Sequence, residues 1–411
     1  MTETEHETPD TPVWARPDAF PPAPQGWGWV DGKNHVHCRG SLEELHHAIR
    51  NDSSGTIDLA WTPDHDRMVL PEEIPGASAP IRAAREVWTR QDLEDTTKRL
   101  SWTGIAFLGF AAYTFSQHWQ QTAHLARQSG TDFNWLEPLR DTLKTPWLGI
   151  ALIAFLIFSL IPWYGAYKRR RELGRWSEEK FTASLPSMRF EAWLERQNAP
   201  VTYSLLALLG LVFLTQKFSN NAISQAGLVK QDYLAGEWWR LFTAPLLHGN
   251  LVHILMNGSA MLYLGRRIEV FARWPHLPMV FLFAAVIGGE TSVRFLSENG
   301  VTVGASGGLM GWLGFLLVFE TLHARLVPRH ARRRLLAGVF LTALIGLIGY
   351  RFIDNAAHAG GLLAGMAYAA IVFPKSSSAL RPSTTLTDRI GGVISLLVLV
   401  LAAGFAIMKM L

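Results

Sequence analysis

Polar and apolar positions divide the chain near residue 100. Before that point prolines, acids and short alternating stretches prevail. Beyond it, apolar runs of about 17–24 residues recur between short charged stretches. A run of that length crosses a bilayer core as a helix. The runs predict nine spans, at 101–117, 146–166, 201–217, 251–271, 277–294, 305–323, 335–351, 355–373 and 388–409. The first is short and carries Ser101, Thr103 and Thr114. The fold class that follows is an all-α polytopic membrane protein with a small soluble α+β unit ahead of it.

The polar third has its own organisation. Residues 1–25 hold several Pro, Glu and Thr without periodicity, the composition of a disordered tail. Residues 26–62 predict the small α+β unit. Trp27–Val30 and His35–Cys38 read as short strands around the turn Asp31-Gly32. Ser41-Leu42-Glu43-Glu44 is a capping box opening a helix to about Arg50, and Thr56–Trp61 reads as a third strand. Residues 63–80 are proline-rich and predict a linker; 81–99 predict a charged helix leading to the membrane, so that 63–100 is linker and juxtamembrane helix.

Charge adds orientation. The acidic start, Met-Thr-Glu-Thr-Glu-His-Glu, lacks the basic and apolar regions of a signal peptide, which predicts a cytoplasmic N-terminus. From there Lys98-Arg99, Lys168–Arg171, Arg266-Arg267, Arg325–Arg334 and Lys375–Arg389 all fall on one side of the membrane, as the positive-inside rule requires. Loops 219–250, 295–304 and 352–354 then lie on the outer face. The net charge of +4 reflects these basic loops and predicts no nucleic-acid partner. The single cysteine, Cys38, excludes an intramolecular disulfide.

Three constellations carry candidate chemistry. In Gly304-Ala305-Ser306-Gly307 a serine opens an apolar span. Its hydroxyl is a weak nucleophile that needs a base. Flanking glycines leave it uncrowded, and the helix N-terminus favours an oxyanion. The same glycines form small-xxx-small pairs, Gly304/Gly308 and Gly307/Gly311, so on this motif alone helix packing is the favoured reading. Second, His358 lies inside span 355–373. An ionisable group there suggests a functional site. His358, Gly361 and Gly365 share a helix face that could approach the Ser306 helix, or the imidazole could simply bond a backbone carbonyl. Third, His248, His253 and Asn257 cluster at one end of span 251–271, with His253 and Asn257 on one face. Such donors suit an oxyanion hole, where one donor typically contributes about 3–4 kcal/mol. Zinc is the competing reading, disfavoured because no carboxylate or cysteine is near. No metal or other cofactor is expected.

Other polar residues read more plainly. Glu290 and Arg294 predict an ion pair, and Asp354 a helix cap in preference to a third triad member. His35, His37, Cys38, His46 and His47 read as exposed strand and helix faces ahead of a metal cluster.

Taken together, residues 200–373 resemble the rhomboid intramembrane serine proteases. The resemblance rests on Gly304–Gly307, on His248 to Asn257 (H-x-x-x-x-H-x-x-x-N), on Ala357 to Gly365 (A-H-x-x-G-x-x-x-G) and on Trp239-Arg240, in the family's order. It implies a six-helix core at 201–373; span 388–409 looks like the additional seventh helix of some members, and the two additional spans at 101–166 lie outside the resemblance. It implies Ser306 as nucleophile and His358 as general base, without a third acid. His253, Asn257 and the Ser306 backbone N–H would form the oxyanion hole. Gly304 and Gly307 would support the turn, His248 would fix the loop or hold His253, and Trp239 and Arg240 would structure the outer loop. Met310 stands where several bacterial members carry a tyrosine on the catalytic histidine, which points to looser support of the ring. Substrates would be transmembrane proteins within the bilayer of the cell (inner) membrane, cut near the outer end of their helix. The alternatives are a catalytically inactive relative that binds transmembrane clients, and a small-solute transporter, for which no convincing repeat is found.

Overall fold

The computed structural model describes residues 11–296, 300–350 and 353–411. Residues 1–10 of the tail expected at 1–25 lie outside the described residues. In chain order the elements are β1 (Trp27–Asp31), β2 (Val36–Arg39), α1 (Leu42–Asn51), β3 (Ile57–Trp61), α2 (Ser78–Ser129), α3 (Leu136–Lys144), α4 (Pro146–Phe155) and α5 (Ile161–Leu173). There follow α6 (Glu178–Glu195), α7 (Pro200–Gln216), α8 (Ala222–Ala226), β4 (Leu228–Val229), α9 (Lys230–Leu234), α10 (Arg240–Thr243), α11 (Leu251–Phe271) and α12 (His276–Phe295). The chain ends with β5 (Val301–Thr302), α13 (Ser306–Leu322), α14 (Arg329–Ile348), α15 (Asn355–Val372) and α16 (Leu386–Met410). Two compact units result. One comprises Met1–Ala19, Pro186–Ala343 and Asp354–Leu411; the other comprises Phe20–Leu185 and Leu344–Ile353.

In the second of these, three antiparallel strands form a sheet of order β2-β1-β3. Gly28 sits at its centre because a Cβ there would strike the His37 carbonyl and the Trp61 indole. The Ser41 hydroxyl accepts from the Glu44 N–H at 3.3 Å and starts α1. Leu45 and Ile49, one turn apart, bury against Trp29, Ala60, Ile74, Ala77, Ile81 and Phe181. The stretch 63–80 is no linker. Val69 pairs with Ala60, Met68 and Leu70 are buried, and a 3₁₀ turn at Pro71–Glu73 leads into α2. Its prolines stop helix and strand alike, yet its apolar positions still cover the sheet.

The charged helix expected at 81–99 and the span expected at 101–117 are one helix, α2, of 52 residues. No proline interrupts it after Pro80, and it stops at Gly130, whose φ of 67° is left-handed. α4 and α5 join through a π turn at Leu156–Leu160 just before Pro162, so that Pro146–Leu173 is one apolar rod.

The larger unit begins with a segment expected to be disordered. Pro12–Ala19 instead forms two 3₁₀ turns. Trp14 is buried, donates its indole N–H to the Leu326 carbonyl at 2.8 Å and meets Phe190 edge-on at 5.7 Å. Arg189 donates to the Trp14 and Arg16 carbonyls at 3.1 and 2.9 Å. One buried tryptophan and one arginine fork supply what the segment's composition does not. At the other end of α11, the Glu269 carboxylate caps α7 by accepting from the N–H groups of Val201 and Thr202 and from the Thr202 hydroxyl, at 3.0, 2.8 and 2.8 Å.

Arg267 departs from its expected place in a basic loop. It is fully buried and donates to Glu320 on α13 from Nε and Nη2, at 3.0 and 2.6 Å. Successive helical residues point about 100° apart, so Arg266 faces out while Arg267 faces in.

Among the described residues, four helices are long and apolar enough to cross a membrane: Pro146–Leu173, His276–Phe295, Asn355–Val372 and Leu386–Met410. A bent pair, Glu178–Glu195 with Pro200–Gln216, would make five, and Ser306–Leu322 is apolar but shorter. Nine spans are therefore not all marked by length and apolarity. The expected span 251–271 carries His253, Asn257, Arg266, Arg267 and Glu269, and 101–117 is the middle of a longer, partly charged helix. The mostly helical chain with several apolar helices fits a multi-pass membrane protein.

Candidate active site

The candidate site is built where α12, α13 and α15 meet. Glycine makes this possible. A Cβ on Gly361 would strike the Gly307 carbonyl, one on Gly365 the Gly311 carbonyl, and one on Gly314 the Leu362 carbonyl. From Gly307/Gly361 to Gly311/Gly365 the contact advances four residues on both helices, so α13 and α15 run parallel with their backbones touching. On the third side Gly288 of α12 admits the Ala357 carbonyl, and Gly360 lies against Thr291. Ser306 precedes the first contact glycine of α13 by one residue. His358 precedes Gly361 by three, on the same face of α15. Both side chains are half-buried.

Ser306 starts α13, so its own backbone N–H is one of the four that a helix leaves without an internal partner. Gly304 sets the entry. Its φ of 123° is left-handed, its N–H donates to the Ala244 carbonyl at 3.0 Å, and a Cβ there would sit 2.6 Å from the His253 ring. Conformation and space both demand glycine at this position. The Asn257 amide is next nearest to the same point. His253 and His358 lie within electrostatic reach of one another. The structure thus gathers His253 and Asn257 around the turn that delivers Ser306. The Ser306 hydroxyl is not hydrogen-bonded to His358. The His358 Nδ1 is buried and has no hydrogen-bond partner among the described residues.

His248 orders the entry of α11. Its Nε2 meets the Asn257 amide at 2.9 Å, and its ring lies 5.0 Å from that of His253. The Gln216 side chain clamps the His248 backbone, donating to its carbonyl at 3.1 Å and accepting from its N–H at 2.9 Å. Burial holds the His248 imidazole down at about 3, with the neighbouring His253 adding to the effect. It is therefore a neutral acceptor for the Asn257 amide. Asn250 caps α11 by accepting from the His253 N–H at 2.9 Å.

Arg240 staples the 219–250 loop. Its guanidinium donates to the Ser224 and Gly227 carbonyls and to Asp232 and Glu237, at 2.9, 2.7, 2.9 and 2.5 Å. Trp239 meets Phe405 edge-on at 5.0 Å, with the Arg240 guanidinium 4.7 Å and the Lys409 ammonium 5.3 Å from its ring. Met310, four residues after Ser306, is buried in α13.

Asp354 is committed elsewhere than to a triad. Its carboxylate accepts from the Ala357 N–H at 2.8 Å, from the Thr302 hydroxyl at 2.6 Å and from Ser292. It caps α15 and ties it to α12 and β5. Lys230 is buried nearby. Burial pushes its ammonium down, and the Asp354 charge partly restores it. Glu290 pairs with Arg294 at 3.5 Å and also accepts from the Tyr233 hydroxyl. The histidines and cysteine near the N-terminus disperse. His35 and His37 both turn to Asp31, His46 donates to the Pro75 carbonyl, His47 meets Asn51, and Cys38 is exposed and free. No group of three His, Cys, Asp or Glu placed to hold a metal occurs among the described residues.

Sequence reasoning missed Gln216, Asp232, Glu237, Ser292 and Thr302. All are polar residues in or beside loops, and their partners lie up to 62 residues away. Glu320 was legible in principle as a lone carboxylate in an apolar helix.

Comparison with known proteins agrees with this core. Residues 235–375 match the family model described as the rhomboid domain. The chain is 31% identical over 165 residues to RHOMBOID-like protein 6, mitochondrial, of Arabidopsis thaliana, covering 39% of this chain and 52% of that protein. It is 30% identical over 188 residues to Rhomboid protease GluP of Bacillus subtilis (strain 168), covering 43% and 36%. RHOMBOID-like protein 4 of Arabidopsis thaliana is 33% identical over 141 residues, covering 33% and 34%. The chain spans between about a third and a half of the length of these relatives. Residues 235–375 of the chain therefore carry a rhomboid domain.

Proposed function

We propose that the chain is an intramembrane serine endopeptidase that cleaves transmembrane proteins near one end of their membrane helix. The observation that carries this is the glycine seam, in which Gly361 and Gly365 receive the backbone carbonyls of the Ser306 helix. In this reading the Ser306 hydroxyl and the His358 imidazole work as a pair at the head of that seam.

His358 takes the Ser306 proton as the hydroxyl attacks the scissile carbonyl, then returns it to the leaving amine. The tetrahedral oxyanion forms beside the Ser306 N–H, the Asn257 amide and His253. Asn257 is aimed by His248, which remains neutral. The Asp354 cap holds α15 and supplies position instead of protons. The six helices from α7 to α15 that the family pattern assigns to the core hold this chemistry in the bilayer, with the loop stapled by Arg240 at its mouth. A multi-pass placement with the N-terminus in the cytoplasm and the site open to the outer face follows from the basic loops.

The test is cleavage of a model transmembrane substrate by the purified full chain in liposomes, beside Ser306→Ala and His358→Ala. Loss of at least about 10⁴-fold in rate is expected for either variant. Cleavage persisting in either sinks the assignment. If the wild-type chain binds several such substrates and cuts none, the protein is a client-binding relative instead.

A further inference from the structure

We propose that α3, outside the rhomboid domain, is an interfacial helix that lays its leucines into the lipid headgroup boundary. The first argument is its inverted amphipathicity. Leu136, Leu139 and Leu143 lie at i, i+3 and i+7 on one face and are 52%, 40% and 71% exposed. The face that packs inward carries Pro138 and Thr142, both buried. In a helix surrounded by water the two sets would exchange places. Trp135 and Trp147 bracket the helix and are also exposed, at 59% and 63%. Indoles prefer that boundary, with an apolar body and one polar N–H.

The second argument fixes the depth of α3. α2 runs antiparallel to the rod Pro146–Leu173 in one constant register. The Thr103 hydroxyl donates to Ser159 at 2.9 Å, Phe107 stacks on Phe155 at 5.6 Å, and His118 bonds the Thr145 hydroxyl at 3.1 Å. At the other end Arg169 closes the hairpin on Asp92 at 2.6 Å. From Asp92 to His118 the helix rises about 39 Å, close to the roughly 40–45 Å of a bilayer with its headgroups. The apolar side chains between, Trp102, Ile105, Leu108 and Tyr113, are exposed at 62–73%. A charged clasp and a hydroxyl clasp, one membrane thickness apart, frame a lipid-facing hairpin. α3 ends at Lys144, beside the hydroxyl clasp at Thr145.

The occupant of the leucine face is lipid and not an acidic partner, because Glu137, Arg140, Asp141 and Lys144 leave α3 without net charge. Burial of three leucines drives its insertion, with Arg140 snorkelling between them.

The experiment uses the full chain in liposomes. In a Cys38→Ser background, single cysteines replace Leu139, Leu143 or, as a loop reference, Asp132, and carry an environment-sensitive fluorophore. At positions 139 and 143, aqueous iodide should quench several-fold less than at 132. Lipids nitroxide-labelled near the headgroup should quench several-fold more. The pattern should be the same in neutral and in partly anionic liposomes. Iodide quenching at 139 and 143 equal to that at 132 would overturn the proposal. So would protection from both quenchers, or a disulfide-linked dimer through Leu143→Cys, which would make the face a protein interface. So would protection that appears only with anionic lipid. These outcomes do not depend on cleavage, so they stand apart from the protease reading.

Discussion

At the scale of single residues, the site depends on groups with no freedom to vary. Gly304→Ala places a methyl group 2.6 Å from His253 at a φ of 123°. We expect a loss of roughly 1–3 kcal/mol in stability from the backbone alone. We also expect a fall in cleavage rate larger than that, because His253 must move. A variant with wild-type melting temperature and wild-type turnover would refute the role of this turn. His248 gives a pH prediction. Its folded value of about 3 lies below the ordinary 6.5. The unfolded chain therefore binds a proton that the native one refuses. Stability is complete above about pH 6.5 and falls towards pH 3 by about 1.4 kcal/mol per unit. His248→Gln should flatten that slope between pH 7 and pH 4 in thermal unfolding in detergent, even if it lowers the plateau. An unchanged slope would mean that His248 is not the group responsible.

At the scale of elements, close approach of backbones outweighs side-chain chemistry. Gly365 meets the Gly311 carbonyl, whereas Gly404 on α16 has no atom within 4 Å of a Cβ position. Gly365→Val should cost at least about 1–3 kcal/mol by overpacking and abolish cleavage. Gly404→Val should leave melting temperature and activity near wild type. Equal effects would show that the seam is not what positions His358. This seam was legible in the sequence, because His358, Gly361 and Gly365 repeat with the helical period on one face. The rest of the site was less so. Asp354 could be read as a cap from its place before α15, but its bonds to Thr302 and Ser292 depend on chain approaching from 52 and 62 residues away. The 52-residue α2 was divided too early, since a change from charged to apolar composition does not end a helix when no breaker intervenes.

At the scale of the whole molecule, composition misled most about the N-terminal segment. A run of Pro, Thr and Asp reads as disorder because it offers little apolar surface. One tryptophan reverses that balance. Trp14 is buried to 8% exposure against Phe190 and bonded to Leu326, in the connection between α13 and α14. Arg189 fixes the backbone on either side of it. The segment is therefore part of the larger unit and its loss should be felt there. Trp14→Ala should cost about 3–5 kcal/mol, as for a buried aromatic ring. Trp14→Phe keeps most of the packing and gives up one hydrogen bond, worth about 1 kcal/mol. Melting temperatures in detergent should fall in the order wild type, Trp14→Phe, Trp14→Ala. Removal of residues 1–19 should match Trp14→Ala or fall below it. If the truncated chain melts like wild type, the segment contributes nothing to the rhomboid core and Trp14 is merely covered. If Trp14→Phe falls as far as Trp14→Ala, the hydrogen bond to Leu326 matters more than the ring, and the segment holds the α13–α14 connection through the backbone.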